Sequence, residues 1–114
     1  MLRTENRGEY MSEFDKVTVV KQANIYFEGG VTSRTIKFPD GEVKTLGIML
    51  PGAYRFDTGA REIMEILQGA VEVLLPGQDA WQRFAAGKSF EVAAQSTFEI
   101  KALSVTDYCC SYLD

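Results

Sequence analysis

The sequence predicts an all-β protein: one domain, built as a small antiparallel β-barrel. Three observations carry that expectation. Gly, Pro and Asp punctuate the chain at short intervals, the rhythm of a sandwich or barrel. The segments between them alternate along the two-residue period of a strand. No stretch of eleven residues combines a 3.6-residue period with a helix cap. A length of 114 residues suits one hydrophobic core and not two.

Residues 1–17 read as a flexible N-terminal arm before a barrel domain at 18–114. Asn6, Arg7, Gly8 and Glu9 offer little apolar surface to offset the entropy of ordering. Strands are expected near 25–28 and 31–38, divided by Gly29-Gly30. Pro39-Asp40-Gly41 is a turn, because Pro presets φ and Gly accepts positive φ, and a strand near 43–50 follows. Pro51-Gly52 marks a bend or bulge before a strand at 53–58. Ile63, Ile66 and Leu67 are compatible with a helix, but that segment runs directly into Gly69 and Val71-Glu72-Val73-Leu74-Leu75. Strand, turn and strand at 62–68 and 70–75 is therefore the preferred reading. Pro76-Gly77 turns the chain, and strands near 81–84, 89–92, 96–102 and 107–112 complete the set. Alternation gives a shared face to Tyr54, Phe56 and Thr58, and another to Glu62, Met64 and Ile66. It does the same for Ser96, Phe98 and Ile100, and for Tyr108, Cys110 and Tyr112. In a small barrel one such face lines a lumen able to hold one small ligand.

Composition narrows the function classes. Apolar residues make up 46% and charged residues 25%, an ordinary balance for a soluble globular protein. The net charge is −4 and the twelve basic residues are scattered, so no nucleic-acid groove is expected. No apolar run approaches the roughly 18 residues of a membrane span. Met1 to Tyr10 has no signal-peptide pattern, so a cytoplasmic location without membrane contact is expected. Cys109 and Cys110 are neighbours that point to opposite faces of a strand. No disulfide between them is expected, but one buried and one exposed thiol.

Two spacings are more specific. Gly87-x5-Ala93-x-Gln95-x2-Phe98-x3-Ala102 has the shape of the second cupin motif, G-x5-P-x-G-x2-H-x3-N. Glu62-x6-Gly69 matches the end of the first. The chain thus resembles a cupin, a jelly-roll β-barrel, but it contains no His. A metal-binding cupin holds its ion with two His and a Glu from the first motif and a His from the second. Here Phe98 stands at the second-motif His. The first-motif His positions fall on Phe56 and Thr58, or on Arg55 and Asp57 with the longer gap. Transition metals prefer nitrogen donors to a lone carboxylate, and hard cations want several oxygens, so no metal site and no cofactor are expected. The cupin register turns Glu62 and Phe98 inward, and Met64 and Ser96 follow by parity. Desolvation among Tyr54, Phe56, Met64 and Phe98 is expected to raise the Glu62 carboxyl, unless an Arg or a backbone amide satisfies it.

A longer series adds to this: Asn24-Ile25-Tyr26-Phe27, Thr45-Leu46-Gly47-Ile48-Met49, Pro51 to Thr58, Glu62-Ile63-Met64, Gly69 to Pro76, Ala86 to Val92, and Cys110-Ser111-Tyr112-Leu113. Over about Lys21 to Leu113 the chain resembles the small cupin-type pyrimidine/purine nucleoside phosphorylases. The resemblance implies cleavage of purine and pyrimidine nucleosides by orthophosphate, to free base and ribose 1-phosphate, without a metal and in a homodimer.

Such a reaction needs groups to hold phosphate, to hold ribose and to stabilise the departing base. Arg55, Thr58 and Ser96 are candidates for phosphate, together with amides near Gly52 and Gly59. By alternation Arg55 reaches the lumen only through a bulge at Pro51-Gly52. Tyr26, Tyr54, Phe56 and Phe98 can stack a base, though each also suits a plain core position. Gln95 carries a donor and an acceptor for a base edge. Glu62 is the expected catalytic carboxyl, with Thr58 beside it. It can bind ribose hydroxyls, support a cationic sugar or donate a proton to the base. The main alternative is a metal-free cupin that binds a small molecule without turnover. A sugar isomerase would want a His base. A structural dimer could pair an exposed apolar strand at 71–75.

Overall fold

The computed structural model describes residues 12–113. The strands are β1 (Thr18–Val19), β2 (Asn24–Tyr26), β3 (Val31–Lys37), β4 (Val43–Met49), β5 (Gly52–Asp57), β6 (Arg61–Gln68), β7 (Ala70–Leu74), β8 (Gln82–Ala85), β9 (Ser89–Val92), β10 (Thr97–Ala102) and β11 (Thr106–Leu113). They form two antiparallel sheets. One runs β1-β3-β4-β11-β6-β9, with β2 also paired to β3. The other runs β5-β10-β7-β8. The core lies between them, where Met49, Met64, Ile66, Val71, Val73, Val92, Phe98 and Ile100 are buried.

The segment with helical and extended alternatives is β6. Met64 and Ile66 are buried while Leu67 is exposed, a period of two and not of 3.6. Its long pairing with β11 rewards the extended form: seven registered residue pairs join them, from Asp107↔Gln68 to Leu113↔Arg61. β11 in turn pairs along its length with β4, so it is the central strand of the larger sheet.

Four expectations are corrected. The first strand ends at Tyr26, and Phe27–Gly29 forms a 3-10 turn. Phe27 and Glu28 take left-handed φ of 52° and 55°, which costs non-glycine residues roughly 1–2 kcal/mol each. The turn swings the Phe27 ring against Tyr54 and Phe56, with centroids 5.1 and 5.4 Å away. Second, Pro51 supplies the expected bend but no bulge, the alternative that Arg55 needed. The β5–β10 register is continuous from Gly52↔Ala102 to Asp57↔Thr97, and the irregularity lies on β11 between Asp107 and Tyr108. Third, the strand at 71–75 is not exposed. β7 lies between β10 and β8, and Val71 and Val73 have no accessible surface. Fourth, both cysteines are buried. Cys110 faces the lumen. Cys109 faces outward but sits mid-sheet, in a groove also lined by Phe14, Lys44, Leu46, Glu65 and Leu67. Burial, reinforced by Glu65, pushes the Cys109 thiol up to about 11. The pair β1–β3 at Thr18–Val19 had no signal in the sequence.

Of the expected arm, residues 1–11 lie outside the described residues. Phe14 packs edge-on against Phe38 at 5.0 Å. No helix among the described residues is long and apolar enough to cross a membrane.

Candidate active site

A cavity of about 250 Å³ lies between the sheets. Its apolar side is Met49 from β4, Phe56 from β5, Met64 from β6 and Phe98 from β10. Phe56 and Phe98 are cross-strand partners, and their rings stack at 5.8 Å with an interplanar angle of 26°. The aromatic at the second-motif His position thus stacks on an aromatic at a first-motif His position, and the pair fills lumen space with carbon. Among the described residues no three His, Cys, Asp or Glu side chains are grouped to hold a metal. Tyr26, 44% exposed, lines the cavity edge-on to Phe56 and so marks its open side.

The polar side comes from β3, β6 and β11. Ser33, Glu62, Tyr108, Cys110 and Tyr112 all line the cavity, with Asp57 at the end of β5. Hydrogen bonds fix several of them. Asn24 donates to Ser33 at 3.2 Å, and Tyr108 lines the same cavity beside Ser33. On β11, the Tyr112 hydroxyl lies 3.2 Å from that of Thr45, and the Cys110 thiol donates to Glu62 Oε1 at 3.4 Å. Burial raises the Glu62 carboxyl, and the Cys110 bond partly opposes that. Burial also raises Tyr108, Cys110 and Tyr112 well above their ordinary ranges, with the thiol further raised by Glu62 and the phenols by Cys110. All three therefore keep their protons near neutral pH. One carboxyl sits among protonated groups that can donate to it or to a ligand.

The structure brings Tyr26, Phe56, Glu62 and Phe98 together and places the other proposed site residues elsewhere. Arg55 is exposed on the outer side of β5, opposite Glu99, because the bulge it needed is absent. It lines a shallow outer groove with Trp81 and Lys101. Tyr54 straps the β4–β5 connection, donating to Leu50 O at 2.7 Å and Gly30 O at 3.3 Å. Thr58, Ser96 and Gln95 form a clasp between two turns. Thr58 Oγ1 donates to Ala93 O at 2.7 Å and accepts from the Ser96 amide at 3.0 Å, while Ser96 Oγ donates to Ala93 O at 2.6 Å. Gln95 N–H reaches Gly59 O at 3.1 Å. Gln95 has φ 51°, at the position where the cupin motif carries Gly, so the motif residue records a left-handed turn. Thr58→Ala is expected to lower the unfolding free energy by about 1–3 kcal/mol, read by urea denaturation, because it leaves the Ser96 amide without its acceptor.

Ser33, Asp57, Tyr108, Cys110 and Tyr112 were not singled out as site residues in the sequence. The shared face of Tyr108, Cys110 and Tyr112 was visible there. What turns it into a site is the central place of β11 opposite Phe56 and Phe98, which is a matter of topology.

Comparisons with known proteins agree with this architecture. The family model for pyrimidine/purine nucleoside phosphorylase matches residues 21–112. A pyrimidine/purine nucleoside phosphorylase of Geobacter sulfurreducens is 62% identical over 103 residues, 90% of this chain and 99% of that protein. A solved protein of unknown function from Acinetobacter sp. ADP1 aligns with a TM-score of 0.86 at 41% identity, covering 89% of this chain and 98% of that one. A cupin superfamily protein from Desulfitobacterium hafniense aligns with a TM-score of 0.60 at 16% identity, over 74% of this chain and 78% of its own, and so bears on the fold alone. The barrel is a cupin barrel, and the chain belongs to the pyrimidine/purine nucleoside phosphorylase family.

Proposed function

We propose that the cavity around Glu62 cleaves purine and pyrimidine nucleosides with orthophosphate, releasing free base and ribose 1-phosphate. Family membership supports the reaction class. The observation that carries the location is the enclosed Glu62 carboxyl, set between a stacked aromatic pair and the hydroxyls of Ser33, Tyr108 and Tyr112. A phosphate oxygen forms a bond to C1′ as the bond from C1′ to the base nitrogen breaks. The nitrogen keeps the electron pair and takes up a proton brought in with the phosphate. Positive charge develops on the sugar between the two events. The ionised Glu62 carboxylate stabilises that charge, in a half-buried setting where water screens it less than at the surface. Phe56, Phe98 and Tyr26 offer flat surfaces that suit either class of base. The hydroxyl donors suit ribose and phosphate oxygens. Positioning and electrostatics supply the acceleration without a covalent intermediate.

The test is the product. Purified protein given uridine or inosine with phosphate is expected to form ribose 1-phosphate, seen by phosphorus NMR, in step with base release and unaffected by EDTA. Free ribose formed without phosphate would make the protein a hydrolase. No release from either nucleoside would make it a metal-free cupin that binds a ligand without turnover. A cytoplasmic homodimer belongs to the same proposal, and sedimentation at twice the chain mass is the expected result for the purified protein.

A further inference from the structure

We infer that Cys110 is a positioning residue for Glu62: its thiol holds the carboxylate in the cavity by a hydrogen bond. The inference rests on the phosphorolysis reading of this site for its kinetic consequence, but not for its structural one.

Glu62 lies on β6 directly opposite Tyr112 of β11, and Cys110 is opposite Met64, one inward position further along. The thiol therefore approaches the carboxylate diagonally, and Sγ comes to 3.4 Å from Oε1. Tyr112, the next inward residue of β11, shares a hydrogen bond of 3.2 Å with Thr45. These two bonds tie β11 to β4 on one side and to β6 on the other, and the second ends on the carboxyl that faces the cavity. Cys110 is 2% exposed and Glu62 half-buried, so the thiol is the fixed end of the bond and the carboxylate the mobile one. Burial keeps the thiol protonated through neutral pH, which leaves it a donor throughout the working range. A sulfur donor is weak. It nevertheless lowers the carboxyl relative to burial alone.

The groups around Glu62 are few. On β11 it faces Cys110, Tyr112 and Tyr108. Asp57 at the end of β5 and Tyr26 of β2 share the cavity, while β9 presents Val92 across from it and β10 presents Phe98. Among these, Cys110 is the group whose bond to Glu62 lowers the carboxyl.

The experiment has two readouts. Carbon-13 NMR of the Glu62 carboxyl gives its titration in the parent, Cys110→Ala and Cys110→Ser proteins. Phosphorolysis of uridine against pH is followed in the same three. In Cys110→Ala the ionisation constant of Glu62 is expected to fall roughly three- to tenfold, and the acid limb of kcat to move to higher pH, to a proton concentration lower by the same factor. Cys110→Ser, which restores a donor, is expected to return both toward the parent. An unchanged titration in Cys110→Ala overturns the inference. So does a shift that Cys110→Ser fails to reverse, because that outcome belongs to packing and not to hydrogen bonding. A parent that shows the NMR shifts yet does not turn over nucleosides overturns the proposed reaction and leaves the positioning role standing.

Discussion

Glu62→Gln is expected to lower kcat for phosphorolysis by roughly 10²–10³-fold while leaving the protein at least as stable as its parent at neutral pH. The two halves of that result have one cause. The carboxyl is half-buried and raised by desolvation, so the folded state favours its neutral form. The stability linked to Glu62 is therefore fully present below the unfolded-chain value and is lost as pH rises through the raised folded value. At neutral pH the ionised side chain is a cost to folding. Glutamine has the same shape without the charge, so it relieves that cost and loses the field at the sugar. A residue that destabilises the fold in its working form fits a functional role better than a structural one. The checks are steady-state kinetics with uridine and urea denaturation of both proteins at pH 5 and pH 8. The stability gain should be larger at pH 8. Equal kcat values would remove Glu62 from the mechanism. A large stability loss would show that the carboxylate serves the fold.

Gly47→Ala is expected to cost about 3 kcal/mol or more and to lower Tm by roughly 10–20 °C. Gly47 lies inward on β4 between Thr45 and Met49, paired with Ser33 on β3 and Tyr108 on β11. A Cβ there would collide with the Thr32 carbonyl oxygen and would stand 2.7 Å from the Tyr108 ring carbon and hydroxyl. The first neighbour is backbone and cannot move without breaking the β3–β4 ladder. The second carries a cavity hydroxyl. Stability and activity should therefore fall together. Gly59→Ala is the matched control, because a Cβ at Gly59 meets nothing within 4 Å and its φ is ordinary. That substitution should stay within about 0.5 kcal/mol of the parent. A Gly47→Ala protein with parental Tm would mean that Tyr108 and β3 have room to shift.

The sequence showed the barrel well because strand alternation and turn chemistry are local. Pro39-Asp40-Gly41 and Gly69 place their turns wherever the neighbouring strands lie. It showed Phe27 badly, because a left-handed aromatic is held only by its packing against Tyr54 and Phe56, which no window of residues reveals. That both cysteines are buried was hidden for a related reason: the cover over Cys109 comes from the strands flanking β11 and from Phe14, far away in sequence. In the site, Glu62, Phe56 and Phe98 were legible through motif spacing and parity. Thr58 and Ser96 carried the right chemistry for phosphate, but the structure engages them in joining two turns. Ser33 and Tyr108 carry no motif at all. They meet because β3 and β11 both flank β4, the strand that carries Gly47.

The most direct measurement is a crystal structure of the Glu62→Gln protein soaked with uridine and phosphate. Density for uracil against Phe56 and Phe98, with the ribose beside residue 62, is the expected result. Uridine bound only outside this cavity, for instance in the groove beside Trp81 and Arg55, would contradict the assignment of phosphorolysis to the Glu62 site.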